Sequence, residues 1–214
     1  SQTIKKDFEK MGLNFLSATG FHPHEAEKFI DNSTDWIVKN SSGISAVGEV
    51  GLDFHYDFSP REMQRKMLRK MIEASLEVQK PLIIHGRNGE EEIAKILLDY
   101  GLRDKKIIFH CYTGTFETAM KIFENGWLIS FSGIVTFNKS FDIQNILKNS
   151  PVDRIFFETD SPFLAPVPFR GKINTPGKVR YVYEFASELL QIEKSELASA
   201  VKNNFEKFFD FKIS

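Results

Sequence analysis

Four apolar runs of this chain each carry a side chain able to bind a metal at or near their carboxyl end: Glu49 in ISAVGEVG, His85 in PLIIHG, His110 in KIIFHC and Asp160 in RIFFETD. The strand positions that precede those side chains are mostly apolar. Neutral imidazole nitrogens and carboxylate oxygens are the ligands that Zn²⁺, Mn²⁺ and their relatives accept. A single histidine or acid at such a place is usually a hydrogen-bonded polar group or a helix cap. Four at matching places predict a divalent metal site, provided the fold brings them together. The segment GFHPHEA adds two more histidines, of which His22 suits the mouth of such a site and His24 suits a helix cap. His55 has no assigned role. Cys111 directly follows His110, so it points to the opposite face and reads as core.

The elements that must position these groups are legible as alternating runs. Strands are predicted at 13–20, 44–51, 81–86, 106–111, 127–133 and 154–160, and helices at 24–40, 60–79, 89–100, 115–125, 140–149, 176–190 and 195–209. Ser59-Pro60-Arg61-Glu62 has the form of a capping box with an early proline, and Met63, Met67, Met71 and Leu76 follow at helical spacing as a packing stripe. Continuous rather than alternating hydrophobicity in the strands means burial on both faces, hence a parallel sheet covered by helices. In a closed parallel barrel the carboxyl ends of the strands converge on one mouth, where Glu49, His85, His110 and Asp160 would meet. The irregular stretch SPFLAPVPFRGKINTP, 161–176, is predicted to be a functional loop.

Composition sets the outer limits. The chain has 214 residues, 42% of them hydrophobic and 27% charged, which fits one globular domain over 1–214. Its formal net charge of −1 gives no global field toward nucleic acid or membrane, so any polyanion contact must be local. No run approaches the eighteen or so apolar residues of a membrane span, and one cysteine excludes an internal disulfide. Cytoplasm is the expected compartment.

The motifs GFHPH, GEVGLD, PLIIHGR, IFHCYTG, LISFSG, ETDSPFLAP and RGKINTP, in that order, closely resemble the TatD-type family of metal-dependent deoxyribonucleases within the amidohydrolase-like barrels. The resemblance runs from about Ser17 to Phe209 and implies a TIM-type (β/α)₈ barrel. It further implies that Glu49 bridges two divalent ions (Mg, Mn or Zn), that His85 and His110 complete one shell, and that Asp160 binds the other ion and handles the nucleophilic water. His22, Asp53, Arg87 and the loop from Arg170 to Asn174 would hold a phosphate substrate, the substrate being DNA ends or single strands. The chain departs from the pattern in three ways. Family members open with a strand ending in a His-x-His pair, and His22 to His24 belongs to a later motif. Six strands are predicted where the barrel has eight, so roughly the first two βα units are expected to be missing and at least one ion to be held. Phe169 and Thr175 replace polar residues expected in the substrate loop. One rival reading is an amidohydrolase-like enzyme for lactones, amides or small phosphoesters. It would favour a carboxylated lysine at a strand end, but Lys80, Lys105 and Lys106 precede their strands. A non-catalytic remnant is the other rival, and metal content per chain would separate it from both enzymes.

Overall fold

Six short strands lie side by side in the order in which the chain supplies them, all parallel and each hydrogen-bonded to the next. They are β1 (Ala18–Thr19), β2 (Ala46–Asp53), β3 (Leu82–Arg87), β4 (Ile107–His110), β5 (Leu128–Phe131) and β6 (Ile155–Phe157). The computed structural model describes residues 15–56 and 58–213, so the first two positions of the predicted strand 13–20 lie outside the described residues. Consecutive parallel strands alternating with helices form the wall of a TIM-type barrel. Among the described residues β1 and β6 are its two edges.

The helices are α1 (Asp35–Lys39), α2 (Arg61–Val78), α3 (Glu90–Asp99), α4 (Phe116–Glu124), α5 (Phe141–Lys148), α6 (Val179–Leu190) and α7 (Lys194–Phe209). Their apolar faces meet the strands in a core that includes Met67, Leu68, Met71 and Ile72 of α2, Ile84 of β3, Phe109 of β4 and Trp127. The packing stripe predicted on α2 ends one position early, since Leu76 is 45% exposed.

Two local predictions are corrected. The helix expected at 24–40 is three short pieces: 3₁₀ turns at Pro23–Lys28 and Asp31–Thr34, then α1. Phe29 and Ile30 are extended between them, and the following Asn-Ser-Thr has poor helical propensity. The predicted capping box also fails. Pro60 is the N-cap of α2 with no side-chain cap, and Ser59 instead donates from Oγ to the His24 carbonyl at 2.8 Å and accepts from the Glu27 N–H at 3.2 Å. Ser59 thus ties the histidine-bearing turn to the start of α2.

Candidate metal centre

The register of β2, β3 and β4 builds the site. His85 pairs with Gly51 on one side and with His110 on the other, so the two imidazoles stand side by side at the carboxyl ends of adjacent strands. Glu49 is delivered by an irregularity in β2, where the register shifts between Val47 and Val50 and the Gly48–Glu49 peptide is cis. Its side chain is 44% exposed while every other residue of the strand is buried. Two glycines permit this approach. A Cβ on Gly48 would lie 2.6 Å from Ile83 Cβ, and one on Gly51 only 1.8 Å from the His85 carbonyl oxygen.

The ligand atoms of Glu49, His85 and His110 lie within 4.8 Å of one another, and those of His22, His24 and His85 form a second such trio. His110 Nε2 is buried and, among the described residues, has no hydrogen-bond partner, although Glu49 Oε2 is 3.3 Å away. An unsatisfied buried nitrogen is costly. A divalent cation shared with Glu49 and His85 satisfies it, and the mixed imidazole and carboxylate donors suit Zn²⁺ or Mn²⁺.

Carboxylates behind the imidazoles fix their orientation. Glu158 Oε2 lies 3.6 Å from His110 Nδ1, while Glu158 Oε1 accepts from the Cys111 N–H and from Ser130 Oγ. Asp53 is 1% exposed, and its Oδ2 bridges His24 Nε2 at 2.9 Å and His85 Nε2 at 3.1 Å. Its Oδ1 accepts the N–H groups of His55 and Tyr56, both at 3.0 Å. With Nε2 on Asp53, the free nitrogen of His85 is Nδ1. Gln64 of α2, itself buried, clasps the Asp53 backbone on both sides, accepting its N–H at 2.8 Å and donating to its carbonyl at 3.1 Å.

The electrostatics follow from this crowding. Burial works against charge on His110, but Glu158 and Glu49 reverse it and raise the imidazole to about 10. The His110 imidazole 3.3 Å away correspondingly lowers Glu49 to about 2, against burial. Burial and the neighbouring imidazoles of His85 and His24 lower His22 to about 4, and burial and His110 lower His85, so both stay in the neutral, ligating form. Asp160 is pushed up to about 6 by burial, with His110 opposing and Glu158 and Glu49 reinforcing the rise.

Several sequence-predicted residues sit differently from expectation. Asp160 is not the end of a strand: β6 stops at Phe157, and Asp160 occupies a left-handed position (φ 54°) in the following loop, outside both trios of ligand atoms. The capping part expected of His24 falls to His22, whose Nδ1 accepts the His24 N–H at 3.3 Å, while His24 reaches Asp53 and both rings lie in the trio with His85. Asp53, buried with both oxygens engaged, orients imidazoles instead of facing a phosphate. Arg87 lies with its guanidinium 4.6 Å over the Tyr56 ring, and Arg170 lies 4.4 Å over Phe137. Asn174 is buried and braces its loop, donating to the carbonyls of Thr159 and Phe163, both at 2.7 Å. Cys111 is only partly buried, and its Sγ donates to Ser132 Oγ at 3.1 Å. Glu158, Gln64 and Ser130 were not singled out in the sequence. The one available signal was Glu158 beside Asp160 in ETD.

The model of the TatD related DNase family matches residues 1–210. The uncharacterized metal-dependent hydrolase YabD of Bacillus subtilis (strain 168) is 38% identical over 195 residues, which are 90% of this chain and 76% of that protein. Another uncharacterized metal-dependent hydrolase, YcfH of Escherichia coli (strain K12), is 35% identical over 201 residues, 94% and 76% of the two. Among solved structures, the TatD homologue YJJV from Escherichia coli K12 superposes with a TM-score of 0.87 at 24% identity, covering 98% of this chain and 82% of that one. A hydrolase TatD family protein from Entamoeba histolytica gives 0.86 at 20% identity, covering 97% and 79%. The chain belongs to the TatD related DNase family and has its α/β barrel-type fold.

Proposed function

We propose that this protein is a divalent-metal-dependent hydrolase that cleaves phosphodiester bonds in DNA, acting as an exonuclease on ends or single strands. The observation that carries the reading is the Glu49, His85 and His110 cluster, with the orphaned His110 Nε2 at its centre. Those three residues would hold one cation, and Glu49 with Asp160 would contribute to a second. When bound, such ions supply charge neutralisation at the attacking and leaving oxygens and lower the pKa of water.

The chain's own residues do the rest. Asp160, whose carboxyl is raised to about 6, is poised near neutral pH to take the proton of the attacking water. His22 accepts through Nδ1, so its neutral form carries the proton on Nε2 and can donate to a phosphate oxygen. Arg87, two residues beyond His85, supplies positive charge at the same rim. Among the described residues no helix is long and apolar enough to cross a membrane, and we place the activity in the cytoplasm.

The test is hydrolysis of labelled DNA by the chelator-treated chain before and after addition of Mn²⁺, Mg²⁺ or Zn²⁺, with Asp160→Asn alongside. Cleavage that appears with metal and is abolished in Asp160→Asn supports the reading. Lactone hydrolysis without DNA cleavage would favour the amidohydrolase-like rival, and binding of no metal would favour the non-catalytic one.

A further inference from the structure

We propose that Phe58, with Tyr56 and Arg87, forms a base-stacking subsite that receives an unpaired nucleobase of the substrate strand. The proposal rests on the phosphodiesterase reading above. Tyr56 is 40% and Phe58 61% exposed, large apolar surfaces at the edge of a polar cluster. Their rings are stacked, with centroids 5.2 Å apart and planes 11° from parallel. Arg87 packs its guanidinium 4.6 Å over Tyr56, so its N–H edges remain directed sideways, where a phosphate can meet them.

The platform is tied to the metal cluster. His24 meets the Phe58 ring edge-on at 4.8 Å and the Tyr56 ring edge-on at 5.8 Å, and its Nε2 shares the Asp53 oxygen that also holds His85. An exposed aromatic ring beside the candidate cation cluster and a fixed arginine matches the two parts of a single-stranded nucleotide, a flat π surface joined to an anion. Such stacking tolerates any base. It disfavours the interior of a duplex, whose bases already have both faces covered. A pair of rings that merely shielded the histidines would be buried, and these are not.

The experiment measures binding of ten-nucleotide single strands, each carrying one 2-aminopurine, whose fluorescence falls on stacking, in chelator so that no cleavage intervenes. The intact chain is expected to quench the probe at one position of the strand. Phe58→Ala should abolish that quenching and weaken binding about 10-fold, with an unchanged melting temperature because the ring is exposed, while Phe58→Trp restores both. Removing the base at the quenched position should weaken the intact chain and leave Phe58→Ala unaffected. Absence of quenching by the intact chain, equal affinity of Phe58→Ala, or blunt duplex bound as tightly as single strand overturns the proposal. Hydrolysis of a small chromogenic phosphodiester by the intact chain with Mn²⁺ is read in parallel. Its absence counts against the nuclease reading itself, independently of the stacking result.

Discussion

His110 sits between two carboxylates, Glu49 at 3.3 Å from Nε2 and Glu158 at 3.6 Å from Nδ1, and this sets the pH behaviour of the site. The sign is fixed by the free chain: its imidazole is protonated up to about 10, and a cation can ligate Nε2 only after that proton leaves. Cation affinity should therefore rise by up to tenfold per pH unit from about pH 7 toward about 10, instead of levelling off above the ordinary histidine value near 6.5. Calorimetry in buffers of different ionisation enthalpy checks this, with release of about one proton per cation at pH 7.5 expected. A plateau above pH 7 would show that the carboxylates do not hold the proton. Asp53 permits a second test at the same scale. Asp53→Asn keeps the shape but cannot accept all four of its hydrogen bonds, so cation affinity should fall about 10- to 100-fold. Unchanged affinity would mean that Asp53 does not orient His85.

At the scale of elements, the close approach of β2 to β3 holds the site together. Gly51→Ala would place a methyl 1.8 Å from the His85 carbonyl and force the strands apart at the very residue that ligates. The variant should lose cation binding as completely as His85→Ala and melt at a lower temperature than the parent, because the strands themselves are parted. Gln64→Ala should cost about 1–3 kcal/mol in urea unfolding, because it leaves the Asp53 N–H and carbonyl buried without partners.

The same elements show how far the sequence could be read. The continuous apolar runs identified all six strands of the described residues, and five helices fell within a residue or two of their predicted bounds, because burial on both faces of a strand and a 3.6-residue stripe on a helix leave strong periodic signals. His85 and His110 were legible because a polar group near the end of an apolar run is out of place there; Glu49 was legible for the same mismatch, although it proves to be the fourth of the eight residues of β2 and not its carboxyl end. The rest depended on backbone paths that carry no periodicity. Asp160 lies beyond its strand, and the positioning of His85 by Asp53 depends on a turn through His55 and Tyr56. Ser59, in a sequence shaped like a capping box, serves a different turn.

At the scale of the whole molecule, charge and topology constrain what the site can bind. With a formal net charge of −1, few phosphates can be neutralised, so single-stranded DNA binding should depend only shallowly on salt, with a log–log slope no steeper than about −2. A much steeper slope would show that a local basic surface neutralises more phosphates than the net charge suggests. The sequential parallel sheet gathers Glu49, His85 and His110 in one cluster, so the proposed activity depends on that cluster binding a cation and using it. The most direct measurement is metal content and DNA cleavage on the same samples: the chelator-treated chain, the same chain after Mn²⁺ is restored, and His110→Ala treated identically. The account predicts at least one ion per restored chain, cleavage only in that sample, and neither retained metal nor cleavage in His110→Ala. Cleavage that survives chelation, or a full complement of metal in His110→Ala, would contradict it.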